Sequence, residues 1–350
     1  MQNSIQGHDT IGGLDRVLVL EVARVTESAA IAAARLRGRG DEKAADKAAV
    51  DAMRRELAKV HIKGRVVIGE GEMDESPMLY IGEEVGIGDG PEVDIAVDPL
   101  EGTTICAKAM PNALAVLAIA ERGGLLNAPD MYMDKIAIGP GYPEGIIDLD
   151  APPGATLDAM AKARGVPISA ITACILDRPR HAELIASVRK AGAGVQLIPD
   201  GDIAGVIWTT DPEETGIDIY FGIGGAPEGV LAAAALRCIG GQMEGRLHPL
   251  KKEEEVRAAA MGVTDIRRKF SMNEMASGDV IFSATGVTDG SLLDGVHFRG
   301  EFAETETVVL RSKTTASSRF AVPDIKGLGG EEVVQTFAIS GGWRIVGNCG

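Results

Sequence analysis

The chain has 350 residues, 45% of them hydrophobic, with 51 acidic against 35 basic side chains and a formal net charge of −16. That length fits roughly two domains of about 150 residues each and supplies ample apolar material for a core. The acidic excess disfavours nucleic acid and anionic membrane as general partners, while local phosphate binding through metals and backbone amides stays open.

Residues 1–13 carry neither the basic nor the apolar region of a signal peptide and read as an N-terminal extension. Residues 14–37 predict a helix, with Leu14, Val17, Leu18, Val22 and Val25 on one stripe that Ala29, Ala32 and Ala33 continue. Gly38 and Gly40 end it. Asp41 is placed to cap a second helix over 42–60, whose inward face is Ala45, Ala48, Ala49, Ala52, Met53 and Leu57, with Asp46 one turn inside near the apolar side. A strand at 65–68 then runs into Gly69-Glu70-Gly71-Glu72-Met73-Asp74, where three carboxylates crowd a strand end. A solvated acidic loop would explain this segment by itself. A second acidic strand end follows, however: Val93, Ile95 and Val97 read as buried strand and lead into Asp98, Pro99 and a turn holding Glu101 and Thr103. Like charges held close in a partly buried place raise each other's pKa, and a divalent cation relieves them, so the two clusters together favour a shared metal site.

Residues 112–120 suit a central strand, and 127–135 a turn leading into another element. The Pro- and Gly-rich stretch 140–154 marks the expected boundary between a metal-binding lobe at 14–150 and a substrate-binding α/β lobe at 151–326. Beyond it a helix at 156–164, a strand at 171–176, a helix at 179–191 and a strand at 195–198 alternate in a β-α-β rhythm. A strand at 218–223 ends in Gly222-Ile223-Gly224-Gly225-Ala226-Pro227-Glu228-Gly229, and a helix over 230–238 follows. Pro227 and Glu228 suit a first helical turn, whose free N–H groups can hold a phosphate, although a tight turn explains the same glycines. A charged surface helix at 251–261, strands at 280–284 and 305–311 and a turn at 285–290 complete the pattern. Residues 327–350 read as a C-terminal tail with little order expected.

Asp46, Glu70, Asp98, Glu101 and Glu228 lie on separate elements and are the candidate metal ligands. An all-oxygen set suits Mg²⁺ or Mn²⁺ rather than zinc or copper, and the four cysteines show no zinc or disulfide spacing. A reducing cytoplasm is the expected setting. No apolar run approaches the ~18 residues of a membrane span, so a soluble protein is expected. A hard metal beside a hydroxyl and a phosphate-holding turn points to phosphoryl transfer to water.

These residues carry a resemblance. Asp-Pro-x-Glu-Gly-Thr at 98–103 is similar to the Asp-Pro-x-Asp-Gly-Thr signature of the lithium-sensitive, metal-dependent phosphatases. With Val-Ile-Gly-Glu-Gly-Glu at 67–72, Pro-Met-Leu-Tyr-Ile-Gly-Glu at 77–83, Asn-Ala-Pro-Asp-Met-Tyr-Met at 127–133, Ile-Pro-Asp-Gly-Asp at 198–202 and the glycine run at 222–229, residues 14–320 resemble class II fructose-1,6-bisphosphatases. The resemblance implies a layered α/β sugar-phosphatase fold with two lobes, a homo-oligomer (dimer or tetramer) and Mn²⁺ or Mg²⁺ held by Asp46, Glu70, Asp98, Glu101 and Glu228. It implies substrate contacts at Glu101, Gly102, Thr103, Tyr132, Arg178, Pro179, Arg180, Asp200, Gly201, Asp202 and Gly225. Thr103 is expected to orient the attacking water, with Asp74 accepting its hydrogen bond and Glu72 an alternative base. Two guanidinium forks at Arg178 and Arg180 can grip the phosphate that is not hydrolysed, although an exposed salt-bridging pair is the plain alternative. Asp200 and Asp202 can accept hydrogen bonds from sugar hydroxyls or simply form an Asp-Gly turn. The implied reaction is hydrolysis of the 1-phosphate of fructose 1,6-bisphosphate, in gluconeogenesis or a sugar-phosphate cycle. A sedoheptulose 1,7-bisphosphatase, a dual-specificity enzyme and a catalytically silent sugar-phosphate sensor are the rivals. Two positions depart from the family pattern: Glu42 stands where Lys is common, and Arg178 where Lys is frequent.

Overall fold

The computed structural model describes residues 14, 16–71, 78–300, 302–312, 316–325 and 337–339. The chain opens with α1 (Arg16–Ala34), α2 (Glu42–Leu57), β1 (Lys63–Ile68), β2 (Glu84–Val85), β3 (Glu92–Glu101), α3 (Thr103–Ala107), β4 (Leu114–Glu121) and β5 (Tyr132–Ile138). It continues through α4 (Pro153–Arg164), β6 (Thr172–Leu176), α5 (Ala182–Ala191), β7 (Gly194–Ile198), α6 (Asp202–Trp208), α7 (Pro212–Thr215), β8 (Ile219–Gly225) and α8 (Ala226–Ile239). Then come β9 (Gln242–His248), α9 (Lys252–Ala260), β10 (Phe270–Ser271), α10 (Met272–Met275), β11 (Val280–Gly286), β12 (His297–Arg299), β13 (Phe302–Arg311), β14 (Ala316–Ile325) and β15 (Phe337–Ile339).

The strands form two mixed sheets. One runs β15-β14-β13-β11-β4-β3-β1-β2 with β12 on β13, and the other β10-β9-β5-β8-β6-β7. Strand membership crosses residue 150 in both directions: β5 belongs to the second sheet, and β11 to β15 return to the first.

Five layers result. Helices α1 and α2 cover one face of the first sheet through Leu18, Val22 and Met53 against Ile95, Leu117 and Ile281. Helix α8 lies between the sheets, packed with Val116 and Phe282 of the first and Met133 and Met243 of the second. Helices α4 and α5 close the outer face of the second sheet through Leu157, Met160 and Val188. Strand β4 shows why the sequence folds this way. Its Ala115, Leu117 and Ile119 meet α1 and α2, while Val116, Ala118 and Ala120 meet the α8 layer, so both faces are apolar as a doubly covered strand requires. Helix α8 is apolar all round for the same reason: ten of its 14 residues are buried, and Ala232 to Ala235 let the two sheets approach. Buried hydroxyls fasten α1 to the first sheet, with Thr26 Oγ1 2.9 Å from Ser283 Oγ and accepting from Thr285 Oγ1 at 2.8 Å.

The expected layered α/β fold is present. At element level, the helix predicted over 179–191 starts as a 3-10 turn at Pro179–His181 before α5, and α3 and α6 had no prediction. Helix α6 is short and wholly buried, and after Asp202 it is apolar throughout, a pattern that periodicity cannot tell from a buried strand. Apart from Phe337–Ile339, the tail at 327–350 lies outside the described residues, as do 1–13.

Because α8 is packed on every side, Ala233→Leu should cost about 1–3 kcal/mol through overpacking. Urea unfolding checks this against Val256→Ala on exposed α9, which should stay within about 0.5 kcal/mol of the parent.

Candidate active site

Strand β3 brings in two carboxylates. Its ladder with β4 shifts register between Asp98 and Glu101, Asp98 Oδ1 accepts the Leu100 N–H at 3.2 Å, and Gly102 turns the chain at φ 82° into α3. A third carboxylate, Glu228, arrives from the first turn of α8. One oxygen from each of Asp98, Glu101 and Glu228 lies within 4.8 Å of the others. The glycine run before α8 is what lets them meet, since a Cβ at Gly225 would overlap the Glu228 carboxylate and one at Gly224 the Asp202 carboxylate. Glu101 is buried and accepts the Ile203 N–H at 3.3 Å, which ties it to α6.

Asp46 on α2 and Glu70, just past β1, complete an electrostatically coupled set. The Glu70 backbone is pinned by its N–H to Leu79 O at 3.0 Å. Burial lifts the Glu70 carboxyl well above its ordinary range, and the charges of Asp46, Asp98, Glu228 and Asp130 lift it further. Burial likewise takes Asp98 up to about 6, against the lowering effect of its hydrogen bond with Glu101, and takes Glu228 up to about 8. Glu228 Oε2 is buried with no hydrogen-bond partner among the described residues. Converging carboxylates that hold protons for want of positive charge, with one buried oxygen unpartnered, fit a hard divalent cation.

A cavity of about 370 Å³ opens over Glu101, Asp202 and Glu228. Its other walls include Tyr132, Arg178, Arg180 and Asp200, with Gly225 beside them. Arg180 gives Nε and Nη2 to Ile223 O at 3.0 and 2.7 Å, and its guanidinium carbon stands 4.7 Å from the Tyr132 ring centroid. Cation–π stacking and the double hydrogen bond therefore aim it. Arg178 is 3.8 Å from Asp200 Oδ1. Asp202 opens α6 after Gly201 (φ 83°), and Pro179 starts the 3-10 turn between the two arginines. Thr103 is the first residue of α3 and half-buried, next in chain to the carboxylate cluster. Glu72 and Asp74 lie outside the described residues.

Residues 16–321 match the family model described as bacterial fructose-1,6-bisphosphatase, glpX-encoded. The chain belongs to this family. It is 49% identical over 318 residues to fructose-1,6-bisphosphatase 1 class 2 of Escherichia coli (strain K12), covering 87% of this chain and 94% of that one. The class 2 fructose-1,6-bisphosphatases of Escherichia coli O6:H1 and Shigella flexneri show the same identity and coverage.

In this bisphosphatase-family chain the structure adds residues that sequence reasoning passed over. Lys135 is the one lysine or arginine buried below a tenth exposure among the described residues. It pairs with Asp202, donates to Gly225 O at 2.8 Å, and draws down the Glu228 carboxyl. The signal was present: period-two alternation along β5 places Met133, Lys135 and Ala137 on the face that meets α8. A lysine there needs a buried anion. Asp130, inside the quoted 127–133 motif, lines the cavity, as do Leu250 and Glu254 from the segment before and within α9. Glu42 at the head of α2 sends its charge as far as Asp200: burial raises Asp200, Arg178 opposes the rise, and Glu42 adds to it.

The raised carboxyls fix a sign for pH dependence. Asp98 and Glu228 bind protons when folded that the unfolded chain, with ordinary values of 3.8 and 4.5, releases. Metal-free stability therefore falls as pH rises from about 4 to about 8. Thermal melts of the metal-free protein should show Tm several degrees lower at pH 8.5 than at pH 5.5, and added Mn²⁺ should raise Tm more at the higher pH. Lys135→Met, which strands Asp202, should cost about 3 kcal/mol or more, read by urea unfolding.

Proposed function

We propose that the protein hydrolyses the 1-phosphate of fructose 1,6-bisphosphate to fructose 6-phosphate and phosphate, in gluconeogenesis or a sugar-phosphate cycle. The reading extends to Mn²⁺ or Mg²⁺ as the cofactor, to action in the cytoplasm and to a homo-oligomeric enzyme. One observation carries it: in a chain of this family, a cluster of three carboxylates fit for a cation reaches, through Glu101 and Glu228, a cavity large enough for a sugar phosphate that a pair of arginines also lines. No helix among the described residues is long and apolar enough to cross a membrane.

Asp46, Glu70, Asp98, Glu101 and Glu228 would hold the metal. When bound, Mn²⁺ or Mg²⁺ neutralises phosphoryl charge and makes water a stronger nucleophile at neutral pH. The remaining work belongs to the chain. Thr103, at the head of α3, orients the water that attacks phosphorus, and Asp74 accepts the Thr103 hydrogen bond, with Glu72 as the alternative base. The water oxygen bonds to phosphorus, the bond from phosphorus to the C1 oxygen breaks, and that oxygen leaves with a proton. Arg178 and Arg180 hold the phosphate at the other end, which fixes the sugar's direction in the cavity. Asp200 and Asp202 accept hydrogen bonds from sugar hydroxyls, and the Tyr132 ring stacks on the Arg180 guanidinium.

Phosphate release from fructose 1,6-bisphosphate should require Mn²⁺ or Mg²⁺ and stop with chelator. No release with either metal at neutral to alkaline pH rejects the proposal, and a higher kcat/KM on sedoheptulose 1,7-bisphosphate reassigns the substrate. Asp98→Ala and Glu101→Ala should each lower kcat at least about a thousandfold and abolish the Tm rise on metal addition.

A further inference from the structure

His181 is buried at 1% exposure at the end of the 3-10 turn that carries Arg180, and no step above uses it. Both its ring nitrogens are engaged. Nδ1 lies 2.8 Å from Leu176 O, and Nε2 lies 2.8 Å from the Ile223 backbone nitrogen. A carbonyl on one side and an N–H on the other select a single neutral tautomer, with the proton on Nδ1.

The topology explains why a side chain is needed there. Strands β6 and β8 pair in parallel only at Ala173 with Ile219 and Cys174 with Tyr220, so past Tyr220 they part. The Ile223 amide, which would otherwise face β6, is met by the imidazole. Gly222 makes room for the ring: a Cβ there would stand 3.3 Å from His181 Cε1 and 3.4 Å from Nε2. The other side of the same residue anchors the substrate arginine, because Ile223 O accepts both Nε and Nη2 of Arg180. Ile223 is therefore gripped through its N–H by His181 and through its C=O by Arg180. His181 lines a cavity of about 220 Å³ with Arg180 and Ile223 and does not line the substrate cavity, so its influence on substrate runs through Ile223 and Arg180.

We propose that His181 is a positioning residue for the distal phosphate: its neutral imidazole bridges the parted ends of β6 and β8 and thereby sets the Ile223 carbonyl that holds Arg180 on its phosphate-gripping side. This rests on the reading of Arg180 given above. It separates His181 from a general core role, because the effect falls on the end of the substrate that Arg180 holds.

The test is steady-state kinetics of the metal-loaded enzyme on fructose 1,6-bisphosphate, together with fructose 1-phosphate, which lacks the distal phosphate, as substrate or competitive inhibitor. His181→Ala should raise KM for the bisphosphate about five- to tenfold with kcat within about twofold, and leave the KM or Ki of fructose 1-phosphate within about twofold. His181→Gln, whose side-chain oxygen reaches the Ile223 N–H, should recover most of the KM, and His181→Asn, which reaches only Leu176 O, should not. Adding His181→Ala to Arg180→Ala should raise KM no further than Arg180→Ala alone. An unchanged KM in His181→Ala beside a raised KM in Arg180→Ala overturns the inference and leaves the function standing. An unchanged KM in Arg180→Ala overturns the reading of Arg180, and the inference with it. Equal losses on both ligands, or Gln and Asn behaving alike, show a general structural role and overturn the inference. Should His181→Ala fail to fold, the contrast between Gln and Asn decides the matter.

Discussion

Uncompensated negative charge between the two sheets is the constraint on which the rest of the structure depends. Asp98, Glu101 and Glu228 sit with oxygens within 4.8 Å of one another, and Glu70 feels two of them together with Asp46. Against this the described interior sets one fully buried cation, Lys135, and that is already paired with Asp202. Such a cluster is held in place by packing, not by its own attraction. It is tolerated at low cost only while protons occupy some of the carboxyls or a cation replaces them.

The packing that imposes the cluster is the layer shared by both sheets. Helix α8 is pressed between them over ten buried residues, so its first turn cannot retreat when Glu228 is crowded. Strand β3 is equally confined, with β4 on one side and β1 on the other. Glu101 is tied to α6 through Ile203, and Lys135 ties β5 to α6 and to the head of α8 through Asp202 and Gly225. The same small residues that let the sheets close on α8 thus deliver carboxylates from different elements to one point.

How far the sequence discloses this depends on the kind of feature. Helices α1 and α2 were legible from their apolar stripes and from Asp41, which caps α2 by accepting the Ala44 N–H at 3.0 Å. The acidic segments at Glu70 and Asp98 were legible because apolar strand runs lead into carboxylates, although β3 continues through Asp98 and Pro99 to end at Glu101, three residues past the point where the apolar alternation stops. Helices α3 and α6 were not, since five or seven residues give no helical period to read. Lys135 and His181 escaped for another reason: their meaning lies in partners far along the chain, Asp202 in one case and Ile223 in the other. Local pattern does not encode such pairs. Sheet membership is similar, because β5 and β11 each pair with strands from the far side of residue 150.

The carboxylates and the arginines of the cavity meet for a topological reason. Strands β6, β7 and β8 are parallel, so their carboxyl ends share one edge of the second sheet. Past those ends lie Arg178 and Arg180 after β6, Asp200 and Asp202 after β7, and Glu228 after β8. Open sheets place ligands outside the carboxyl ends of strands where neighbours diverge. Here the divergence of β6 from β8 beyond Tyr220 makes that opening, and the end of β3 supplies Asp98 and Glu101 from the first sheet. Arg178 and Arg180 then face Glu101 and Glu228 across a single cavity. A ligand anionic at both ends satisfies that asymmetry in only one orientation whenever the metal end and the arginine end differ in what they can do chemically. On the reading proposed above, the direction in which a sugar bisphosphate lies would follow from where three parallel strands stop.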